Sequence, residues 1–305
     1  MTNTCQGLVA ILLIAGWLSP ALGASVPAPL RGVGVAARTA QNPATGIFTY
    51  HYRVMNPKAN QGQISLIELD ITRNPGEVSL SQQGLSNGPR YSQSTSDDAF
   101  VRTPMVPVGV TGPGGWLYGL GFDSASNRGF VLWGSSDEAY RIAPGAWSTG
   151  FQLDSHGLPG LRQIEVLPDL NVDDLPDEFS EPEKVRSLKE SLTFRAMTVG
   201  PKAPPDNFVA LEFLNYLISL LHDSRQQGWI KVDGVHQSLL AKLINAKRKL
   251  ESGETAAAKH LLNAFLNEVH AVSCSGFTCP GNKPLTSEAY ALLFFNGQFL
   301  QERLP

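Results

Sequence analysis

The chain has 305 residues, of which 17% are charged, and a formal net charge of −3. That balance excludes the broadly basic surface that nucleic acid or anionic lipid requires. The length allows two cores of ordinary domain size, and 29 glycines and 21 prolines point to a loop-rich part.

Residues 1–23 read as a cleavable export signal. Leu8 to Leu18 is an uncharged apolar run, followed by Pro20 as a helix breaker. Ala21 and Gly23 are the small −3 and −1 residues of a cut before Ala24. The n-region, Met1 to Gly7, has no Lys or Arg, leaving only the α-amino group positive. A membrane anchor needs about 20 apolar residues, and this run has about half that. No later segment is long and apolar enough to span, so a secreted, periplasmic or cell-surface protein is expected.

Cys5 leaves with the signal, while Cys274 and Cys279 stay in Ser-Cys-Ser-Gly-Phe-Thr-Cys-Pro. An even pair in an oxidising compartment points to a structural disulfide, worth about 2 kcal/mol for so short a loop. A free thiol pair is the other reading. The spacing is not that of a C-x-x-C redox motif, and two ligands are too few for a tetrahedral metal site.

The first half reads as β structure. In Ile47 to Asn56, the side chains of Phe48, Tyr50, Tyr52 and Val54 share one face at period two, and Thr49, His51 and Arg53 take the other. Ile64 to Ile71 repeats the pattern, with Ile67, Leu69 and Ile71 alternating with Glu68 and Asp70. Shorter strands are predicted at 105–110, 116–120, 130–133, 151–153, 163–166 and 192–196, punctuated by Gly, Pro, Asn and Ser. Short strands with frequent turns and no βαβ alternation predict an antiparallel β-sandwich over 24–167.

Residues 168–205 form an acidic and Pro-rich segment. From Asp169 to Arg186, seven acids stand against Lys184 and Arg186. Gly200 to Pro205 is stiff and marks the predicted domain boundary. Beyond it the period becomes helical. Asp206 is the expected cap of a helix reaching Gln227, with Phe208, Leu211, Leu214, Ile218 and Leu221 on one stripe. A second helix runs from about Gly234 to Ser252, with Gly253 at C′. Thr255 caps a third and Thr286 a last one. The fold class expected is therefore α+β multidomain, an antiparallel β-sandwich followed by a small four-helix bundle over 206–305.

The strings Gly228-Trp229-Ile230-Lys231, Ser238 to Leu243, Gly253 to Ala257 and Leu262 to Ala271 together resemble the FIMAH-type helical domain, similar in outline to FIVAR modules. The likeness covers roughly residues 206–304. It implies a helical bundle, an extracellular or cell-surface setting and contact with carbohydrate or envelope material, and it brings no catalytic residues. The Cys274–Cys279 loop before the last helix departs from that pattern. Ile142 to Gly145, Gly150 to Ser155 and Gly157 to Gly160 resemble uncharacterised exported bacterial β domains, a likeness without a function attached.

Several motifs have the residue types of chemical sites. Gly84-Leu85-Ser86-Asn87-Gly88 matches G-x-S-x-G, but polar residues precede it and Pro89 follows, so a loop is expected rather than a nucleophile elbow. Gly32 to Ala37 lacks the strand and helix of a dinucleotide fingerprint. Asp169, Asn171 and Asp173 have the D-x-N-x-D spacing of Ca2+ ligands, yet Asp174 and Ser180 stand where an EF-hand needs Gly and Glu. A solvated linker is the default. His236, His260 and His270 lie on helix faces without a metal-binding spacing. Trp116, Tyr118, Trp133, Tyr140 and Trp147 cluster between Gly-rich turns; Trp116, Tyr118 and Trp133 are the candidate sugar-stacking residues, with core packing as the alternative. No other cofactor is implied. Glu68 and Asp70 share a strand face, where a solvated outer face is expected rather than a catalytic pair. Two functions follow: an exported non-enzymatic protein binding carbohydrate or envelope material, or an exported hydrolase with catalytic carboxylates elsewhere in the β domain.

Overall fold

The Phe48 to Val54 alternation organises the first sheet of the computed structural model, which describes residues 26–72, 109–123, 128–170, 175–179, 181–274, 276–277 and 282–305. The expected export signal and the Gly84–Gly88 loop lie outside the described residues. The strands are β1 (Gly34–Gln41), β2 (Phe48–Met55), β3 (Ile64–Asp70), β4 (Gly109–Thr111), β5 (Leu117–Asp123), β6 (Arg128–Gly134), β7 (Trp147–Ser155), β8 (Leu158–Pro168) and β9 (Phe194–Lys202). They form a four-stranded sheet of order β1-β2-β7-β4 and a five-stranded sheet of order β5-β6-β3-β8-β9. Every ladder within them is antiparallel.

The alternation in β2 is as expected: Phe48, Tyr50, Tyr52 and Val54 are buried, and the residues between them are not. Tyr52 meets Trp133 of the other sheet at 5.8 Å between ring centroids, and Trp133 meets Phe151 edge-on at 5.9 Å. Burial pushes the Tyr50 and Tyr52 phenols well above their usual range, so both remain donors, to the carbonyls of Gly157 and Val199.

Three elements depart from the sequence expectation. Gly34 to Gln41, which overlaps the Gly32 to Ala37 mimic of a nucleotide fingerprint, is edge strand β1. The acidic segment contains helix α1 (Pro182–Leu192), with Pro at its start and Glu183 in the first turn, where the helix dipole favours a negative charge. Leu188 and Leu192 bury its inner side. The last strand runs on through Gly200 and Pro201 to Lys202. Proline is tolerated there because β9 is an edge strand, so no ladder bond is lost on its outer side.

The helices are α2 (Ala210–Gln226), α3 (Asp233–Glu251), α4 (Thr255–Val272), α5 (Ser287–Tyr290), a π-helical turn at Ala291–Phe295, and α6 (Asn296–Arg303). The cap of α2 is Val209 rather than Asp206. Phe208 just before it packs on Phe213 at 5.7 Å, a hydrophobic staple that fixes the entry of the helix. Thr255 is the first residue of α4, with Glu254 rather than Thr255 at its cap, whereas the expected cap holds at α5, where the Thr286 side chain accepts the amide of Ala289. Gly253 follows α3 at φ 77, the left-handed C′ position. Among the described residues no helix is long and apolar enough to cross a membrane.

Strand and helix residues share one contiguous buried cluster. Its polar seam lies on the outer edge of β1. The Ala37 amide donates to Glu288 Oε1 at 2.7 Å, and Ser287 Oγ donates to the Ala37 carbonyl at 2.7 Å. Further along, buried Asn296 donates to the Pro159 carbonyl of β8 at 2.7 Å.

Candidate functional site

The outer face of the four-stranded sheet gathers the most functional chemistry. Opposed residues of an antiparallel ladder share a face. The Arg38–His51–Gln152 row therefore lies beside the Ala36–Arg53–Thr149 row, and Gly34–Met55–Trp147 follows. Strict alternation from Phe151 and Leu153 would send Trp147 inward with them. Instead the register slips between Tyr52 and Arg53. Gly150 is the extra residue of this bulge, at a φ of 97 that a side chain rarely adopts. The bulge turns Trp147 outward, where it is 62% exposed next to Met55 at 45%.

Two guanidinium groups lie on the same face. Arg38 and Arg53 stack on the Phe277 ring at 5.4 and 5.6 Å from its centroid, and Arg53 Nη2 also donates to the Phe277 carbonyl at 3.4 Å. Phe277 thus brings the loop that follows α4 onto the sheet. His51 is held below the usual imidazole value by burial and by the charge of Arg38, against the opposing pull of Asp154.

The aromatic candidates from the sequence require correction. Trp116 and Trp133 are core residues, 5% and 0% exposed. Their indole N–H groups donate to the Tyr140 and Thr111 carbonyls, each at 2.8 Å. Neither has a face free for a sugar. Tyr118 is half-buried against the same core. From the wider cluster, Trp147 and Tyr140 are the exposed members. The signal for Trp147 was the glycine at 150, which a period-two reading passes over.

The Asp169 carboxylate accepts from Arg141 Nη1 at 2.6 Å, while Asn171 and Asp173 lie outside the described residues. Among the described residues no group of three or more His, Cys, Asp or Glu is placed to hold a metal ion. Cys274 is buried at 2% exposure, and Cys279 lies outside the described residues.

The three helix histidines do not converge. His270 packs on Tyr290 and Phe294, whereas His236 meets His222 at 5.3 Å. His236 is buried, and its Nε2 has no hydrogen-bond partner. Burial, then the charges of His222 and Arg225, hold it below the usual imidazole value, with Asp233 opposing. The unfolded chain therefore takes up this proton first as pH falls. Stability present above the usual imidazole value is lost as pH falls towards the lower folded-state value. Urea midpoints are expected to drop between pH 8 and pH 5, and to drop less in His236→Gln.

Two carboxylates also converge. Glu68 and Glu165 are directly opposed in the β3–β8 ladder, and both are buried. Arg128 lies between them, 2.7 Å from each. Lys189 of α1 reaches Glu68 at 3.2 Å, and Arg195 of β9 reaches Glu165 at 3.2 Å. A hydrolytic carboxylate pair needs open space between its members for substrate and water. Here that space is filled by a guanidinium and flanked by a helix, which is the arrangement of a neutralised structural cluster.

Comparison with known proteins adds no relative: no protein-family model matches the chain, and no curated protein matches it.

Proposed function

We propose that this is an exported, non-enzymatic protein that binds carbohydrate of the cell envelope or its surroundings through the outer face of the four-stranded sheet. In this reading residues 1–23 direct export and are removed, and Cys274 bonds to Cys279 in the oxidising compartment. The two sheets form a β-sandwich, and the helices beyond residue 206 form a bundle of the FIMAH type.

Trp147 carries the binding reading. Trp147, 62% exposed, and its ladder partner Met55, 45% exposed, make an apolar patch on the sheet face, and a glycine bulge presents the tryptophan there. Its flat ring beside Met55 suits the apolar face of a sugar, and the polar side chains of Arg53 and Gln152 can bond hydroxyl groups. Affinity electrophoresis in gels containing neutral and acidic polysaccharides tests it. Retardation by at least one polymer is expected, and Trp147→Ala should weaken it about ten-fold or more. Because Trp147 is exposed, its removal should change stability by only about 0.5 kcal/mol. Free migration through every polymer would overturn the reading.

A further inference from the structure

Resting on that reading, we propose that the polysaccharide bound is acidic, with carboxylate-bearing sugars seated on Arg38 and Arg53. The formal charge of −3 makes no case for this, because it averages over all faces. The local arrangement does. Arg38 and Arg53 sit diagonally on adjacent strands, a separation of about 7–8 Å between backbones. Both guanidinium carbons lie over the Phe277 ring, 5.4 and 5.6 Å from its centroid. A guanidinium held over an aromatic ring still offers N–H groups at its edge to a carboxylate; with Nη2 of Arg53 bonded to the Phe277 carbonyl, the remaining N–H groups of Arg53 and those of Arg38 are the ones so placed.

Neither guanidinium is ion-paired among the described residues. The contrast with the other sheet is informative. There Arg128 and Arg195 are each ion-paired to two glutamates. On the first sheet Asp154 is the nearby acid, and its carboxylate accepts from Gln152 Nε2 at 3.2–3.3 Å rather than from an arginine. His51, between the two arginines and Asp154, is disfavoured as a cation by Arg38. Among the described residues this part of the face therefore sets two guanidinium groups against the Asp154 carboxylate, with Glu288 at the edge of β1 engaged by the Ala37 amide, and an anion would relieve the remaining positive charge. Trp147 then supplies the stacking surface two residue positions beyond Arg53, so one sugar chain lying along the strands touches both.

The test uses the mature protein with two probes that share one backbone: polygalacturonate, and the same polymer with its carboxyl groups methyl-esterified. Titration calorimetry in low salt is expected to give at least about ten-fold tighter binding to the free acid, an advantage that shrinks as salt is raised. The double variant Arg38→Gln/Arg53→Gln should bind both probes equally, with an unchanged urea midpoint showing that the fold is intact. The His51 imidazole, followed by NMR, should titrate at higher pH in the complex. Trp147→Ala should weaken both probes alike. Equal binding of the two probes by the unaltered protein, still dependent on Trp147, would overturn the acidic assignment and leave the sheet-face reading standing. A preference that persists in the double variant would overturn it as well. Absence of binding to either probe, together with free migration through neutral polymers, removes both.

Discussion

Replacing Arg128 with Met is expected to destabilise the folded protein by about 3–5 kcal/mol, among the largest losses available to a single substitution. The reason is register. Glu68 and Glu165 face each other directly across β3 and β8, and like charges so placed repel. Their side chains are only 5% and 10% exposed, so water cannot screen them. Arg128 resolves the conflict with one nitrogen on each carboxylate. Burial alone would make this guanidinium easier to deprotonate, but the hydrogen bond to Glu165 and the charges of Glu165, Glu68 and Asp70 more than reverse that, so it stays charged. Without it, Lys189 and Arg195 remain as partial compensation, which places the loss at the lower end of the range. Urea unfolding at pH 7 measures the effect. A variant as stable as the parent at pH 7 would show that the cluster contributes nothing net.

Trp133→Ala is expected to cost about 3–5 kcal/mol, through the cavity it leaves and the packing it loses. Trp133 is fully buried between Tyr52 and Phe151, rings from the opposite sheet. Its indole N–H also ties β6 to the Thr111 carbonyl of β4, which spans Gly109–Thr111 among the described residues. Trp133→Phe keeps an aromatic ring but strands that carbonyl, so about 1–3 kcal/mol should be lost. Hydrogen exchange should then report faster opening of β4 than of β2. The comparison with Trp147 separates the roles of two tryptophans that the sequence places in one cluster. Changes at 133 should act through stability and leave polysaccharide affinity unaltered at temperatures where the variant is folded. Changes at 147 should do the reverse.

Much of the architecture is legible where one physical effect dominates. The alternation from Phe48 to Val54 determines both a strand and its buried face, because nothing interrupts its period of two. Helices α2 to α4 are equally plain, since their apolar stripes span several turns. The misreadings arise where a second effect competes. Gly34 to Gln41 has few β-branched residues, so its strand is made by pairing with β2 rather than by its own preference. Helix α1 is obscured by a run of acids and shows itself through two buried leucines. At the binding face the difficulty is geometric. A single inserted glycine reverses the direction of every residue before it on β7, so Trp147 cannot be placed outside by counting twos. The arginines on Phe277 are brought together by a loop more than 200 positions away, a juxtaposition that periodicity does not encode.

The seam at Ala37 makes the order of synthesis matter. Its bond to Glu288 joins positions 251 residues apart. At ordinary elongation rates the partner of this early strand is made on the order of tens of seconds after it. Until then the β1 edge offers unsatisfied amide and carbonyl groups, a template on which a second chain can add as readily as its own helix. Premature termination before Ser287 would thus yield more than a missing helix. It would leave a strand permanently open to other copies, and aggregation rather than simple loss of activity is the failure that a truncated product should display.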